Sequence, residues 1–387
     1  MKDKKILLCV SGGIAAYKAI DLASRLAKAG ALVKTVMTAS AQEFVSPANF
    51  SAISHGTVHT ELFGDSDPIP HINLADWADI IVVAPATANT IAKACYGLAD
   101  DLLSSCLLAA TAPILWIPAM NVHMYNNPAT QENIARLRKR GHLFLEPDSG
   151  LLACGYEGMG KYPPNEEILY ALETYLQYKQ DLCGKRVLIS AGACREMLDP
   201  MRCITNLSSG KMGLALARAA ALRGALVTLV YGGLSVEKPH YISKAISAND
   251  SDSMALAISK ESETNDWIIM AAAVSDYKPQ QISSSKLKKQ DTLHLKLQKT
   301  QDILHGLGEE KMPGQILVGF AAETDDLIAN ATKKLRSKNL DLIIANHLSV
   351  VEQDSTAVNI ISKDQTFELA GTKFNVAHQI LDQIKLL

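Results

Sequence analysis

The sequence predicts an α/β protein made of two doubly wound, Rossmann-like domains. The first observation is a repeat: segments beginning at Lys4 and Lys185 each run from an apolar strand through a glycine turn into a helix and a second strand. The second is that strands and helices alternate along the chain, which is typical of parallel sheets covered by helices. The third observation is the length of the chain, because 387 residues are too many for one compact hydrophobic core and are enough for two domains.

Composition narrows the class of protein. Apolar residues make up 48% and charged residues 20%, which indicates a globular chain, and a net charge of −2 gives no bulk attraction to nucleic acid or acidic membranes. No apolar stretch is long enough to span a bilayer, and the lysine-rich start shows no cleavable signal. Seven cysteines without CxxC spacing favour reduced thiols. We therefore expect a cytoplasmic protein without nucleic-acid or membrane partners.

The elements of the first half follow in order after its opening unit. Strands are expected over 80–84 and 114–117, with helices beginning near Asn89 and spanning 128–139. The glycine-rich segment 150–160 is not expected to be regular structure. A helix over 166–180 then leads into a polar stretch, so we place domains at 1–181 and 182–387.

The second half continues the same alternation. After its opening unit, strands are expected over 267–274, 316–320, 342–345 and 357–361. Between the first two of these, the segment 277–290 contains serines and lysines and is expected to be a mobile loop.

The first glycine turn, at Gly12 and Gly13, lacks the third glycine of a dinucleotide fingerprint. No acidic residue closes the next strand, where hydroxyl residues up to Ser40 stand instead, and hydroxyls suit a mononucleotide phosphate. A plain strand-to-helix turn is the alternative interpretation.

Further candidates follow other strands of the first half. Thr87 and Asn89 come after one strand and Asn121 after the next, at the sheet edge where ligands bind in such folds. His71 precedes the first of these strands, and Cys154 lies in the glycine-rich segment. Alternatively, the histidine is an ordinary surface or core residue and the cysteine is incidental.

Taken together, the ordered motifs GGIAAYK, PHINLADWAD, PATANT, PAMN and ACG over residues 4–165 resemble the flavin-dependent cysteine decarboxylases, in particular the phosphopantothenoylcysteine decarboxylases. The resemblance implies a flavodoxin-like flavoprotein domain. The implied FMN-binding residues are Gly12, Gly13, Ser40, Thr87 and Asn89. The implied active-site residues are His71, Asn121 and Cys154.

The chemistry implied by that resemblance explains these residue types. Loss of CO₂ from a cysteine carboxylate needs an electron sink, which FMN can create by oxidising the thiol end of the substrate. Asn121 would hold the carboxylate, and Cys154 would donate the proton in the final reduction. His71 would orient substrate or flavin, or assist deprotonation of the thiol; the sequence leaves these alternatives open.

In the second half, the run from Asn206 to Gly213 is not a P-loop, yet its serines and glycines at a helix start suit a phosphate. Asp276 follows a strand, and Lys288 lies among three lysines that would repel one another without an anion. A solvated basic loop is the alternative interpretation.

Lys334 and Lys338 are expected on one face of a helix, where like charges are unfavourable unless a polyphosphate lies between them. Phe320 ends a strand, in position to pack on a base or ribose, and a core phenylalanine is the alternative.

This half is similar to the phosphopantothenate–cysteine ligases through NxSSGKMG, AAAVSDY, KLKK, VGFAAET and KKLRSKNLD, and the fusion order matches the bacterial bifunctional enzymes of coenzyme A synthesis. The resemblance implies CTP, Mg²⁺ and an acyl-cytidylate that cysteine converts to the amide, with Asn206 and Lys288 as catalytic residues. The implied CTP-binding residues are Met270, Ala272, Asp276, Lys288, Gly319, Phe320, Lys334 and Lys338. The metal ligands are not predicted.

One motif departs from the pattern of these ligases. They usually carry GPTRE after the first strand of this half, whereas this chain has Ala193 and Cys194 in place of the proline and threonine. Losing proline removes a conformational constraint, and cysteine replaces a hydroxyl donor. We expect altered local geometry with the activity retained.

The resemblance also implies partners and assembly. The substrates would be 4′-phosphopantothenate, cysteine and CTP, and ligase dimers with decarboxylase trimers would build a homo-oligomer, a dodecamer. Two alternatives keep the fold. The first half could be flavin prenyltransferase-like, or it could be a regulatory flavoprotein fused to a nucleotide-binding domain.

Overall fold

The computed structural model describes residues 1–63, 68–153, 155–289, 291–323, 326–347 and 353–387, with only the backbone at 323 and 347. The chain divides into two compact units, Met1–Gln177 and Tyr178–Leu387. Among the described residues, no helix is long and apolar enough to cross a membrane.

The first unit is built on a parallel sheet. Its strands are β1 (Lys5–Val10), β2 (Leu32–Met37), β3 (Val58–His59), β4 (Ile80–Ala86), β5 (Ile114–Pro118) and β6 (Leu143–Phe144). They pair in the order β3-β2-β1-β4-β5-β6, every pair parallel. This is the Rossmann order, so the predicted fold class is confirmed for this unit.

Helices connect the strands of this sheet. They are α1 (Ala16–Lys28), α2 (Ala39–Gln42), α3 (Pro47–Ser54), α4 (Pro70–Trp77), α5 (Ala88–Tyr96), α6 (Leu102–Ala109), α7 (Val122–Tyr125), α8 (Pro128–Lys139) and α9 (Asn165–Tyr178). The core lies along β1 and β4, where every residue after Lys5 is buried. Such nearly continuous apolar runs are typical of parallel strands covered on both faces.

The glycine-rich segment differs from the prediction of irregular structure, which was wrong. Strands β7 (Asp148–Leu151) and β8 (Glu157–Lys161) pair there as an antiparallel hairpin. Gly150, Gly158 and Gly160 have φ angles of +148°, +150° and +142°. Only glycine adopts this backbone readily, so these residues permit the hairpin and a close approach of neighbouring chain.

The second unit repeats the same plan and extends it. Its strands are β9 (Arg186–Ala191), β10 (Arg195–Asp199), β11 (Arg202–Thr205), β12 (Leu226–Tyr231), β13 (Lys244–Ser247), β14 (Trp267–Met270), β15 (Tyr277–Pro279), β16 (Leu297–Lys299), β17 (Ile316–Glu323), β18 (Leu342–His347), β19 (Ser355–Ile361) and β20 (Thr366–Thr372). The main sheet has the order β13-β12-β9-β14-β17-β18-β19-β20. It is parallel as far as β18, and β19 and β20 add antiparallel strands. The predicted second Rossmann-like domain is therefore also confirmed.

Helices of the second unit are α10 (Lys211–Leu222), α11 (Ser251–Ser262), α12 (Ile303–Glu309), α13 (Leu327–Ser337) and α14 (Lys373–Lys385). Two predictions need correction. The strand expected over 267–274 ends at Met270, because the N–H groups of Ala272 and Ala273 bond to Ser190 Oγ and the carbonyl oxygen of Gly192. The loop expected over 277–290 begins with β15, which pairs with β16.

Candidate functional site

The strand order reverses between the neighbouring strands β1 and β4, and hydrogen bonds link the carboxyl ends of these two strands. The Ser11 hydroxyl donates to the carbonyl oxygen of Pro85 over 2.7 Å and accepts from the N–H of Thr87 over 3.0 Å. Ligands bind in doubly wound sheets at this switch point. Helices α1 and α5 begin just after these two strands, so two helix N-termini, which attract anions, lie at the same edge.

Glycine is required at one position of the turn after β1. A Cβ atom on Gly12 would lie 2.3 Å from Ser40 Cβ and 2.7 Å from the Ser40 carbonyl carbon. A Cβ on Gly13 would lie 3.6 Å from Cγ2 of Thr87, which is ordinary contact. The structure thus brings these four residues together, with Asn89 exposed in the first turn of α5. Their role as flavin ligands stays a prediction.

His71 is the second residue of α4 and is half-buried. Its Nδ1 atom is buried and has no hydrogen-bond partner among the described residues. Because buried polar atoms are nearly always paired, this nitrogen is suited to contact a bound molecule. Helix α4 also packs on β1, the strand that leads to the glycine turn.

Asn121 follows β5 and caps the short helix α7. Its Oδ1 accepts the N–H of His123 over 2.8 Å, which fixes the amide plane. The Nδ2 group of an asparagine is a donor only. Once the oxygen is used in the cap, Nδ2 is the part of the side chain suited to a carboxylate.

The β7–β8 hairpin is held on both sides of Asn121. The N–H of Met120 donates to the carbonyl oxygen of Gly160 over 2.9 Å. A Cβ on Gly158 would lie 2.8 Å from Cγ2 of Val122. The hairpin therefore lies against the strand end that carries the predicted carboxylate contact. Cys154, predicted as the proton donor, belongs in sequence to the connection between its strands and lies outside the described residues.

Lys18 is a candidate that the sequence analysis missed. Its Nζ lies 3.4 Å from the carbonyl oxygen of Tyr162 and 5.4 Å from the centre of that ring. Burial, and then the ammonium group of Lys161, lower the pKa of Lys18. The available signal was a lysine in the first turn of a helix, where the helix dipole disfavours a cation.

The second unit repeats the crevice of the first. Ser190 Oγ, near the end of β9, accepts the N–H of Ala272 from the segment after β14 over 3.0 Å. Ser11 does the same for Thr87 in the first unit. Both crevices therefore lie where the strand order reverses, at β1 and β4 in the first unit and at β9 and β14 in the second, and a serine hydroxyl links the two strand ends there. Met270 is buried at the end of β14, next to Gly319 of β17.

Gly319 and Phe320 occupy different environments in β17. A Cβ on Gly319 would lie 2.9 Å from side-chain atoms of both Leu304 and Leu340, so core packing also explains this glycine. Phe320 is half-buried, which leaves part of its ring available. Asp276 has an exposed side chain, and its carbonyl oxygen accepts the N–H of Thr300 over 2.9 Å.

Asn206 stands between the hairpin β10–β11 and the start of α10. Its Nδ2 donates to the carbonyl oxygen of Val274 over 3.2 Å. Gly210, the N-cap of α10, has a φ of +74°, and a Cβ there would lie 2.4 Å from Leu234 Cδ2. Gly210 has no side chain to cap α10, and Ser209 Oγ accepts the N–H of Lys211 over 3.4 Å, so the next N–H groups of this helix start are the ones suited to an anion.

The motif that departs from the expected pattern is held by hydrogen bonds of its backbone. The carbonyl oxygen of Cys194 accepts a hydrogen bond from the Thr205 hydroxyl over 2.7 Å. The N–H of Cys194 donates to the carbonyl oxygen of Ala273 over 3.2 Å. Burial, and then the charge of Glu196, raise the pKa of the Cys194 thiol to about 12. Cys194 is therefore a neutral, buried thiol that packs as a small side chain.

Lys334 and Lys338 differ from the arrangement predicted. Helix α13 ends at Ser337, so Lys338 is its C-cap residue rather than a member of the helix. The Nζ atom of Lys338 lies 2.9 Å from a carboxylate oxygen of Asp302. This carboxylate balances part of the positive charge that we expected a polyphosphate to balance. Both lysines are half-buried and lie one turn apart.

Lys288 is exposed and lies in a stretch without regular secondary structure. Its neighbour Leu287 is held by Asp199 and Arg202 at the turn end of the hairpin β10–β11, whereas Asn206 follows the opposite end. The backbone of Leu287 is therefore held at the end of this hairpin opposite to Asn206, and the role of Lys288 stays a prediction. Over the described residues, no group of three or more His, Cys, Asp or Glu side chains could hold a metal ion.

The fold defines a protein of two doubly wound units, each with a crevice where its strand order reverses. Residues 1–176 match the family model described as Flavoprotein, and residues 182–387 match the DNA/pantothenate metabolism flavoprotein C-terminal domain. The predicted flavoprotein half is thereby confirmed.

Curated relatives match over the whole chain. A coenzyme A biosynthesis bifunctional protein CoaBC of Bacillus subtilis is 46% identical, covering 100% of this chain and 98% of the relative. Its Vibrio cholerae counterpart is 44% identical over 91% of this chain and 89% of the relative. A crystal structure of a CoaBC C-terminal domain is 38% identical, with a TM-score of 0.46, covering 54% of this chain and 97% of that one.

The chain belongs to the family of coenzyme A biosynthesis bifunctional proteins, CoaBC. The predicted family is confirmed, and with it a bifunctional enzyme. Neither a flavin prenyltransferase nor a regulatory flavoprotein is favoured.

Proposed function

We propose that this chain makes 4′-phosphopantetheine in two reactions, one in each domain. Domain 182–387 joins cysteine to 4′-phosphopantothenate at the expense of CTP, and domain 1–181 decarboxylates the product, phosphopantothenoylcysteine. Membership of the CoaBC family supports both halves. The observation that carries the decarboxylase half is the β7–β8 hairpin, which is held on either side of Asn121.

The residues at the first crevice fit FMN. Gly12 leaves room beside Ser40 that a Cβ would fill, and two helix N-termini suit the phosphate. When bound, FMN supplies a reversible two-electron redox centre. We assign its contacts to Gly12, Gly13, Ser40, Thr87 and Asn89.

The protein residues of the decarboxylase then have separable tasks. Asn121 donates through Nδ2 to the substrate carboxylate and orients it for departure as CO₂. His71 orients substrate or flavin, or assists deprotonation of the thiol, through Nδ1, which has no hydrogen-bond partner among the described residues. Cys154 donates the proton that completes the product. Lys18 adds a positive charge near the hairpin, since its carbonyl contact Tyr162 directly follows β8.

In the ligase domain, the carboxylate of 4′-phosphopantothenate attacks the α-phosphate of CTP and displaces pyrophosphate. The amine of cysteine then displaces CMP and forms the amide. Asn206 holds the acyl-cytidylate, and Lys288 serves the second step. The nucleotide contacts are Met270, Ala272, Asp276, Lys288, Gly319, Phe320, Lys334 and Lys338. Mg²⁺ would accompany the nucleotide and would neutralise part of the charge on its phosphates.

We also propose a homo-oligomer in the cytoplasm, with ligase dimers and decarboxylase trimers forming a dodecamer. Large apolar side chains are exposed in both units, and subunit interfaces would bury such side chains. Examples are Tyr96, Leu98 and Leu108 in the first unit and Met201, Leu207 and Ile282 in the second. Light scattering after gel filtration tests the mass, and a monomer would contradict the proposal.

Mass spectrometry of one reaction tests both activities. Protein, CTP, Mg²⁺, cysteine and 4′-phosphopantothenate should give CMP, CO₂ and 4′-phosphopantetheine. EDTA should stop CMP formation but leave decarboxylation of added phosphopantothenoylcysteine intact. Accumulation of phosphopantothenoylcysteine by protein with bound FMN would contradict the decarboxylase half. Absence of CMP would contradict the ligase half.

A further inference from the structure

Asp199 is a buried carboxylate at the end of β10, with 0% of its side chain exposed. Its Oδ1 accepts the backbone N–H groups of Met201 over 2.7 Å and Arg202 over 2.9 Å. These bonds close the turn between β10 and β11, as aspartate side chains commonly do. One carboxylate oxygen is therefore sufficient for the local turn.

The second oxygen contacts a distant segment, the lysine loop, which we define as residues 286–289. Oδ2 of Asp199 accepts the N–H of Leu287 over 3.0 Å and Nη1 of Arg202 over 2.7 Å. The same Nη1 also donates to the carbonyl oxygen of Leu287 over 3.0 Å. Both backbone polar groups of Leu287 are thus held from β10 and β11, although the loop has no regular secondary structure.

The charge state of Asp199 fits this arrangement. The hydrogen bond from the N–H of Leu287 is the main cause that lowers the pKa of the Asp199 carboxyl. The hydrogen bonds from the N–H groups of Met201 and Arg202 lower this pKa further. The carboxylate is therefore ionised at neutral pH and accepts all four donors. A protonated or amide side chain would present a donor to at least one of them.

The held residue lies between lysines. Lys286, Lys288 and Lys289 are exposed, whereas Leu287 is half-buried. Three neighbouring ammonium groups repel one another, so the loop on its own favours many extended conformations. We propose that Asp199 is a positioning residue for Lys288, the lysine assigned to the ligation reaction, because it fixes the backbone of the adjacent Leu287. This inference rests on the proposed ligase function.

Asp199→Asn in the full-length, FMN-loaded protein tests the proposal. Cysteine-dependent release of CMP should fall by at least about tenfold, since small displacements of a reacting group have effects of this size. Pyrophosphate release should exceed CMP release, because the acyl-cytidylate accumulates as it would in Lys288→Gln. Decarboxylation of added phosphopantothenoylcysteine should be unchanged. The double variant should be no slower than Lys288→Gln within about twofold.

A matched control has the same chemistry elsewhere in the domain. Asp266 accepts the N–H of Arg186 over 2.8 Å, at the amino end of β9, away from the crevice. Asp266→Asn should keep the ratio of pyrophosphate to CMP at one. If Asp199→Asn unfolds the domain, Leu287→Pro removes the same hydrogen bond from the exposed loop and should reproduce the ratio.

The outcomes separate the inference from the proposed function. If the wild type forms no CMP, the ligase proposal fails and this inference fails with it. If the wild type is active and the folded variants keep a ratio of one, only the inference is overturned. The inference alone is also overturned if the rate loss of the double variant equals the product of the rate losses of Asp199→Asn and Lys288→Gln, because the two residues would then act independently.

Discussion

Met120 and Gly160 are in direct backbone contact at the end of β5. The N–H of Met120 donates to the Gly160 carbonyl oxygen over 2.9 Å, and a Cβ on Gly160 would lie 2.2 Å from the carbonyl oxygen of Met120. No real side chain tolerates that distance, and the obstructing atom belongs to the backbone. The contact therefore requires glycine, and it sets the position of the hairpin relative to Asn121.

Gly160→Ala should separate the hairpin from the strand end. We expect decarboxylation to fall by at least about tenfold, because displacement of the carboxylate contact and the proton donor affects the reacting atoms directly. CTP-dependent CMP release should be unchanged. Gly141→Ala is the control: its φ is +91° with nothing within 4 Å of a Cβ, so only backbone strain of about 1 kcal/mol applies. Equal decarboxylase rates in the two variants would contradict the contact's role.

Flavin content distinguishes the two glycines of the first turn. Gly12→Ala brings a Cβ to 2.3 Å from Ser40 Cβ and 2.7 Å from its backbone, so the turn must move. Gly13→Ala meets only Thr87 Cγ2, at 3.6 Å. We expect Gly12→Ala to be purified without most of its FMN, and Gly13→Ala to retain clearly more. The flavin absorbance per chain measures this. A Gly12→Ala variant that is purified with its full content of FMN would contradict the assignment of Gly12 to the flavin site.

Local pattern predicted most parallel strands of the two main sheets and the glycine turn that follows the first strand of each unit. Apolar runs such as β4 and helical spacing such as that of α1 are properties of neighbouring residues, and they repeat in both units. The crevice could be predicted for the same reason, since parallel strands end at one edge of a sheet.

Contacts between distant segments could not be predicted in this way. The bond from Leu287 to Asp199 joins residues 88 positions apart, and nothing near either residue indicates the other. The glycines at 158 and 160 indicated irregular structure, yet their backbone fits strands that pack on Val122 and Met120. The Asp199-Pro200 dipeptide indicates a turn and the spaced glycines indicate a close approach of backbone, but neither signal identifies the segment that is contacted.

Arg223 should be among the residues most important for the stability of the second unit. It is 0% exposed, bonds to both carboxylate oxygens of Asp181 at 2.8 and 2.7 Å, and lies 2.8 Å from Asp382 and 4.2 Å over the ring of Tyr178. Arg223→Met leaves these carboxylates without their buried cation. Because both carboxylates are partly exposed and Lys385 still pairs with Asp181 at 2.6 Å, the unfolding free energy from urea titration should fall by about 2–3 kcal/mol.

The exposed pair of Arg186 and Asp266, 3.6 Å apart, provides the control for Arg223. Arg186→Met should lower the unfolding free energy by about 1 kcal/mol or less, because solvent screens exposed ion pairs. Similar losses in the two variants would contradict the importance of burial at Arg223.

His378 makes the stability of the second unit depend on pH. It is 3% exposed, stacks on Tyr178 at 4.5 Å between ring centres and meets the edge of Phe374 at 4.6 Å. Burial first, and then the charge of Arg223, lower its pKa from 6.5 to about 3. The folded protein therefore holds a neutral imidazole, while the unfolded chain takes up a proton once the pH falls below 6.5.

The sign of the effect follows from that difference in bound protons. The contribution of His378 is complete above pH 6.5 and is lost as the pH falls towards 3, by up to about 1.4 kcal/mol per pH unit. Urea unfolding between about pH 7.5 and 5 measures it. His378→Gln should flatten this dependence, whereas His294→Gln, at an exposed position, should not. An unchanged slope in His378→Gln would show that another group carries the dependence.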